Sequence, residues 1–191
     1  MPGPIGHALG GVAAACTADL VPGARAFRVP DGYRLTSICA ALGAAPDLDL
    51  LIGGHRTATH SVGAVLVVFL FAMALAINAR RPVLRVALMC AGAYATHLLL
   101  DWLAVDPNPP YGIELLWPFS DAWFISGLDL FLPTERRILS LPLSVVVDVN
   151  ARAVARELLI LMPIVAALWL VRVKALAGLA PEVPRRHHAP Q

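Results

Sequence analysis

Charge is scarce in this chain. Asp, Glu, Lys and Arg supply 15% of its 191 residues, against 58% hydrophobic residues, and the mean hydropathy is +0.70. Soluble domains carry about 25% charged residues, so this composition excludes an ordinary water-soluble fold and points to an integral membrane protein. A basic face is missing too: the net charge is only +2 and the arginines are scattered through connections, which argues against nucleic acid as a partner. Cysteine is nearly absent. Cys16, Cys39 and Cys90 stand singly in apolar runs, without the spacing of a disulfide framework or a thiolate zinc site, and read as small buried hydrophobes. The opening Met-Pro-Gly-Pro-Ile-Gly-His has no positive segment of the signal-peptide kind, so the first apolar stretch is expected to stay in place.

What is abundant is apolar helix. Candidate spans cover residues 5–21, 35–46, 62–79, 84–104 and 157–173, of which the third and fifth are continuous runs close to the roughly 20 residues a bilayer needs. The expectation is an all-α polytopic bundle of four to five spans with a long extracytoplasmic connection, 105–156, after the fourth. Residues 1–174 form a single membrane-embedded domain in this reading, followed by a disordered tail, 175–191, that holds His187 and His188. Arg25, Arg28 and Arg34 lie between spans one and two, Arg80, Arg81 and Arg85 between three and four, and Arg172, Lys174, Arg185 and Arg186 after five. All three clusters fall on one side, which the positive-inside rule makes cytoplasmic. Within the long connection, Pro107, Pro109 and Pro110 predict a turn, Leu115 to Phe119 an interfacial aromatic stretch, and Glu114 a loop charge.

Against that background, six side chains that membrane helices normally exclude stand out at the ends of apolar segments: His7, Asp47, Asp49, His60, His97 and Asp101. Burying each ionisable group in a bilayer costs roughly 2.5–3.5 kcal/mol on insertion scales, so several at one membrane face need a shared compensating partner. A divalent cation is the simplest. His97-x-x-x-Asp101 puts imidazole and carboxylate on one helix face; the plain alternative is a buried His–Asp hydrogen bond. Asp47-x-Asp49 would aim both carboxylates one way if extended. Thr59 or Ser61 can cap the following helix and orient His60, whereas His55 is read as a supporting or substrate-facing residue. Nitrogen and oxygen donors suit zinc first, then manganese or iron.

The order of these motifs resembles the bacterial inner-membrane metal-dependent hydrolase family labelled YdjM/YbcI-like. The likeness rests on Gly-His7, Pro-Asp47-x-Asp49, His55-Arg56-x-x-Thr59-His60-Ser61, His97-x-x-x-Asp101 and Gly112-Ile-x-Leu-Leu-Trp117-Pro118, and covers residues 1–123. It implies a multi-pass inner-membrane hydrolase. More distantly the chain is similar to zinc-dependent phospholipase C and P1-type nucleases. That likeness implies one ion on Asp47 or Asp49, His60, His97 and Asp101, and another on His7 and a bridging Asp101. No histidine occurs between His97 and His187, and with Met1 as written no free amine matches theirs, so one or two ions are expected in place of their three.

The function expected is hydrolysis of a phosphoester or other ester in a lipid-like substrate at the extracytoplasmic face. Asp47 or Asp49 serves as proton acceptor and Arg56 as the clamp on a phosphoryl oxygen. A non-enzymatic scaffold, regulatory partner or ion conduit is the competing class, and a conduit needs polar groups through the whole bilayer depth. One geometric demand decides between a shared ion and none. An imidazole at position 60 more than about 10 Å from His97 and Asp101 could share no ion with them, because coordinate bonds reach only about 2 Å.

Overall fold

Long apolar stretches satisfy their own backbone as helices, even across Pro163 in the last of them, and the computed structural model is accordingly all-helical. It describes residues 1–18, 20, 32–51, 53 and 55–177. Five helices occur among them: α1 (Pro4–Ala18), α2 (Gly32–Ala44), α3 (Val62–Asn78), α4 (Val83–Trp102) and α5 (Leu143–Ala177). Short 3-10 turns at Ala45–Leu51 and Ala58–His60 link α2 to α3. Among the described residues no strand forms; two isolated bridges, Ala104–Phe131 and Ile113–Phe124, tie the segment between α4 and α5.

Helices α4 and α5 are long and apolar enough to cross a membrane, while α3 is a shorter apolar helix of 17 residues. Helices α1 and α2 have 15 and 13 residues, below the roughly 20 of a simple span. Length and composition therefore support two spans, fewer than the four to five expected from the sequence. Only 11% of the apolar window of α5 is buried within the protein, so its outer surface has lipid as its natural neighbour. Helix α5 also corrects the fifth segment: it begins at Leu143, well before 157, and takes the end of the connection expected to run from 105 to 156. Asp148 and Arg152 pair one turn apart on its exposed side at 2.8 Å, so this polar half folds as helix without being apolar. Asp19, Arg25, Arg28, Arg185, Arg186, His187, His188 and the tail from residue 178 lie outside the described residues.

Small residues let α1 sit deep against its neighbours. A β-carbon on Gly11 would lie 2.0 Å from the Cys39 carbonyl oxygen, and one on Gly43 2.3 Å from the His7 carbonyl oxygen. Backbones of α1 and α2 thus touch, a packing mode that membrane helices favour. Cys16, Cys39 and Cys90 are buried and form no disulfide, as read from their isolation. At the start of α3, Ser61 Oγ accepts from Ala64 N at 3.1 Å. The carbonyls of Leu115 and Trp117 accept from Val62 N and Gly63 N, so the Gly112–Trp117 motif works as a strap over the helix start. The start of α1, the end of α2, the start of α3 and the end of α4 all meet at this one end of the bundle.

Candidate metal centre

Helix α4 supplies His97 and Asp101 on one face, α1 supplies His7 in its first turn, and the two 3-10 turns deliver Asp47, Asp49 and His60. His7, His60 and His97 have no exposed surface and Asp101 only 1%. The convergence demanded of the sequence is met: His60 Nε2 lies 3.0 Å from His97 Nε2 and 3.4 Å from Asp101 Oδ2. His97 Nε2 is 3.2 Å from the same oxygen. Asp47 Oδ1 stands 3.8 Å from both imidazole nitrogens. Four donors around an ion at about 2.0–2.1 Å would be separated by roughly 3.3 Å in a tetrahedron, and these spacings bracket that value.

Tautomers make the cluster informative. His97 Nδ1 is 2.7 Å from the Gly43 carbonyl oxygen, an acceptor only, so Nδ1 carries hydrogen and a neutral ring presents a lone pair at Nε2. His60 Nδ1 faces Thr59 Oγ1 at 3.0 Å and Asp49 Oδ2 at 3.2 Å. The Thr59 hydroxyl donates to Asp49 Oδ2 at 2.5 Å, which commits His60 Nδ1 to donating as well. Both Nε2 atoms therefore aim lone pairs at each other, a contact that only a proton or a cation between them makes favourable. Nearby, both nitrogens of His7, Asp47 Oδ1 and both oxygens of Asp101 have no hydrogen-bond partner among the described residues. An unpartnered buried polar atom costs about 1–3 kcal/mol. Five at one spot fit a ligand-binding pocket and not a finished core.

Asp47 and Asp49 take opposite sides of one imidazole. The sequence expectation of an extended Asp-x-Asp is corrected here, because Ala45–Leu51 is a 3-10 turn that sends Asp47 toward the Nε2 side of His60 and Asp49 toward Nδ1. Asp49 also meets His55 Nδ1 at 2.8 Å. It is an orienting carboxylate, of the kind that fixes a ligating histidine from behind. Burial alone would raise its pKa, but hydrogen bonds from His60, Thr59 and His55 hold it well below the usual carboxylate range. His7 stacks on His97 with ring centroids 3.6 Å apart and reaches the other oxygen of Asp101 at 3.4 Å. Two trios, His7–His97–Asp101 and Asp47–His55–His60, each bring their own donor atoms within 4.8 Å of one another, so His55 comes nearer the pocket than its spacing suggested.

Arg56 does not face this pocket. It pairs with Asp106, lies 5.5 Å from the Trp123 ring, and adopts a left-handed φ of 70°. Two contributors were missed in the sequence. Arg136 approaches His55 Nε2 at 3.3 Å. Glu157 of α5, fully buried, accepts from Gly3 N at 2.6 Å and Gly6 N at 2.9 Å, clamping the turn that carries His7. No local pattern marks either, since their partners lie about 80 and 150 residues away.

The pocket also predicts a pH dependence. Burial would lower the pKa of His60, yet the neighbouring carboxylates of Asp47, Asp49 and Asp101 overcome this and push it up to about 9. Below that pH a proton occupies the place of a cation and must be displaced, so metal affinity falls as pH falls. Competition titrations with a chelator should show zinc binding weakening about tenfold per pH unit between pH 8 and 6, one proton being released per ion. A pH-independent affinity would contradict a protonated His60.

A family model described as YdjM inner membrane protein matches residues 1–177 of this chain. No curated protein matches it, and no solved structure does.

Proposed function

The chain belongs to the YdjM inner membrane protein family, and we propose that it is a metal-dependent hydrolase acting on a phosphoester or other ester of a lipid-like substrate. The observation that carries this reading is the facing pair of His60 and His97 Nε2 atoms, 3.0 Å apart, beside the partnerless oxygens of Asp47 and Asp101. His60, His97 and Asp101 would hold one divalent ion. His7, with the second oxygen of Asp101, would help to hold another. The donor set suits zinc first and manganese or iron next. Asp47, the fourth donor of the set, is left to water, and three protein ligands would be the count of catalytic and not of structural zinc.

When bound, such an ion supplies the Lewis acidity that makes water a nucleophile near neutral pH. The remaining work falls to the chain. Asp47 orients the attacking water and takes its proton as the water oxygen bonds the ester centre; the ester bond breaks and the proton passes to the leaving oxygen. Asp49, Thr59 and the Gly43 carbonyl hold the two imidazoles in the tautomer that presents Nε2. Arg56, expected from the sequence to clamp substrate, is engaged by Asp106, so its role in this reading is to brace the wall of the site.

For topology, we read α1 to α4 and the second half of α5 as the spans. Arg34, Arg80, Arg81, Arg85, Arg172 and Lys174 then sit at the end opposite the pocket, which the positive-inside rule assigns to the cytoplasm. The pocket accordingly faces the extracytoplasmic side. An ion conduit fits less well, because among the described residues the buried polar side chains, His7, Asp49, His60, Ser61, His97, Asp101 and Glu157, gather toward one end of the bundle.

Metal analysis of gently purified protein tests the site, with about one to two equivalents of a transition metal expected; less than about half an equivalent would count against it. Phospholipids and isoprenoid phosphates supplied with zinc or manganese test the chemistry. Metal bound but no turnover of any of them would favour a non-enzymatic scaffold.

A further inference from the structure

Access to the pocket is one-sided. His60, His97 and Asp101 are sealed, whereas the side chains of His55 and Asp47 keep 20% and 12% of their surface exposed. Anything that meets the ion must come past those two residues. On that side lies a cavity of about 440 Å³, lined by His55, Arg56, Asp106, Glu135, Arg136 and Arg137 among others.

The charges lining it do not balance. Arg56 is paired with Asp106. Arg137 is held on both oxygens of Glu135, at 3.0 and 2.7 Å. Arg136, with 41% of its side chain exposed, has only the edge of Asp47 at 3.9 Å and the His55 nitrogen at 3.3 Å. Of the three guanidinium groups around the cavity, Arg136, the one nearest the pocket, is therefore the one without a close carboxylate. His55 accepts from Arg136, donates to Asp49 and so joins the guanidinium to the carboxylate behind His60.

Resting on the hydrolase reading above, we propose that this cavity is the substrate site and that Arg136 recognises the anionic phosphoryl group of a phosphate ester. A planar guanidinium binds phosphate oxygens two at a time. A tetrahedral phosphoryl group has oxygens enough to meet the cation pocket and Arg136 together, while a carboxylic ester or amide is neutral and offers Arg136 no anionic oxygen. The phosphoryl group can belong to a lipid headgroup or to a soluble phosphate ester; the recognition chemistry is the same.

Phosphate titrations of the full-length, zinc-loaded protein in detergent decide the matter, comparing wild type with Arg136→Gln and Arg136→Lys. Inorganic phosphate is expected to bind wild type and to bind Arg136→Gln about 10- to 100-fold more weakly, with Arg136→Lys between them and zinc content equal in all three. Affinities of wild type and Arg136→Gln within twofold, or no phosphate binding by wild type at millimolar concentration, would overturn the proposal. Absence of zinc from every protein, with the Arg136 effect intact, would instead sink the metal reading and leave the anion site standing. Release of phosphate from vesicles of phosphatidic acid in phosphatidylcholine assigns the lipid source, and release from glycerol phosphate alone the soluble one. Release from neither by zinc-loaded wild type overturns the assignment of a phosphate-ester substrate.

Discussion

Purified His97→Ala and Asp101→Ala are each expected to keep less than about a tenth of the wild-type metal. Both side chains aim donor atoms into the pocket, and the loss of groups that merely orient a ligand already weakens metal sites about 10- to 100-fold. His97 gives up one lone pair and its stack on His7 at 3.6 Å. Asp101 gives up two oxygens, the contacts to His60 and His97 on one and to His7 on the other, so its replacement should cost any second ion as well. The loss should also appear as reduced stability. At free zinc 100 times its dissociation constant, binding to the folded state contributes about 2.7 kcal/mol, and that increment should vanish from both variants. Elemental analysis with thermal melts in zinc and in chelator measures both effects. Full metal content in both variants would exclude them as ligands.

The second large effect is expected at a residue outside the candidate ligand set. Glu157→Ala removes a buried carboxylate that accepts from Gly3 N and Gly6 N at 2.6 and 2.9 Å. A hydrogen bond to a charged group contributes about 1.5–3 kcal/mol, and a buried donor left without one costs a similar amount. We expect a loss of about 3–5 kcal/mol, with Glu157→Gln keeping one acceptor and roughly half of the difference. Because His7 donates its own N–H to the Gly3 carbonyl at 3.2 Å, the clamp also fixes the turn that aims the imidazole. Zinc affinity should therefore fall along with the melting temperature, and recover in part in the Gln variant. Unchanged zinc affinity in a destabilised Glu157→Ala protein would make the residue structural alone.

Legibility in the sequence followed the range of each interaction. Helices α3 and α4 were readable to within two residues because their apolar runs are bounded by Ser61 at one start and by Pro82 at the other. His97 and Asp101 were readable because four residues is one helical turn, and Thr59 and Ser61 because hydroxyls before a helix have few other uses. The early half of α5 was not. Asp148, Asn150, Arg152 and Arg156 interrupt the apolar pattern, and only packing reveals that the helix continues through them. The separate duties of Asp47 and Asp49 depend on backbone turning by 3-10 geometry, which two identical side chains cannot announce. Arg136 and Glu157 escaped notice because each acts on a partner far away along the chain.

That last separation bears on how the protein is made. The turn bearing His7 is made long before α5, yet its backbone donors find their acceptor only when residue 157 has been synthesised, 154 and 151 positions after Gly3 and Gly6. A nascent chain stopped short of α5 would hold every one of the candidate ligands and still lack the carboxylate that clamps the turn carrying His7.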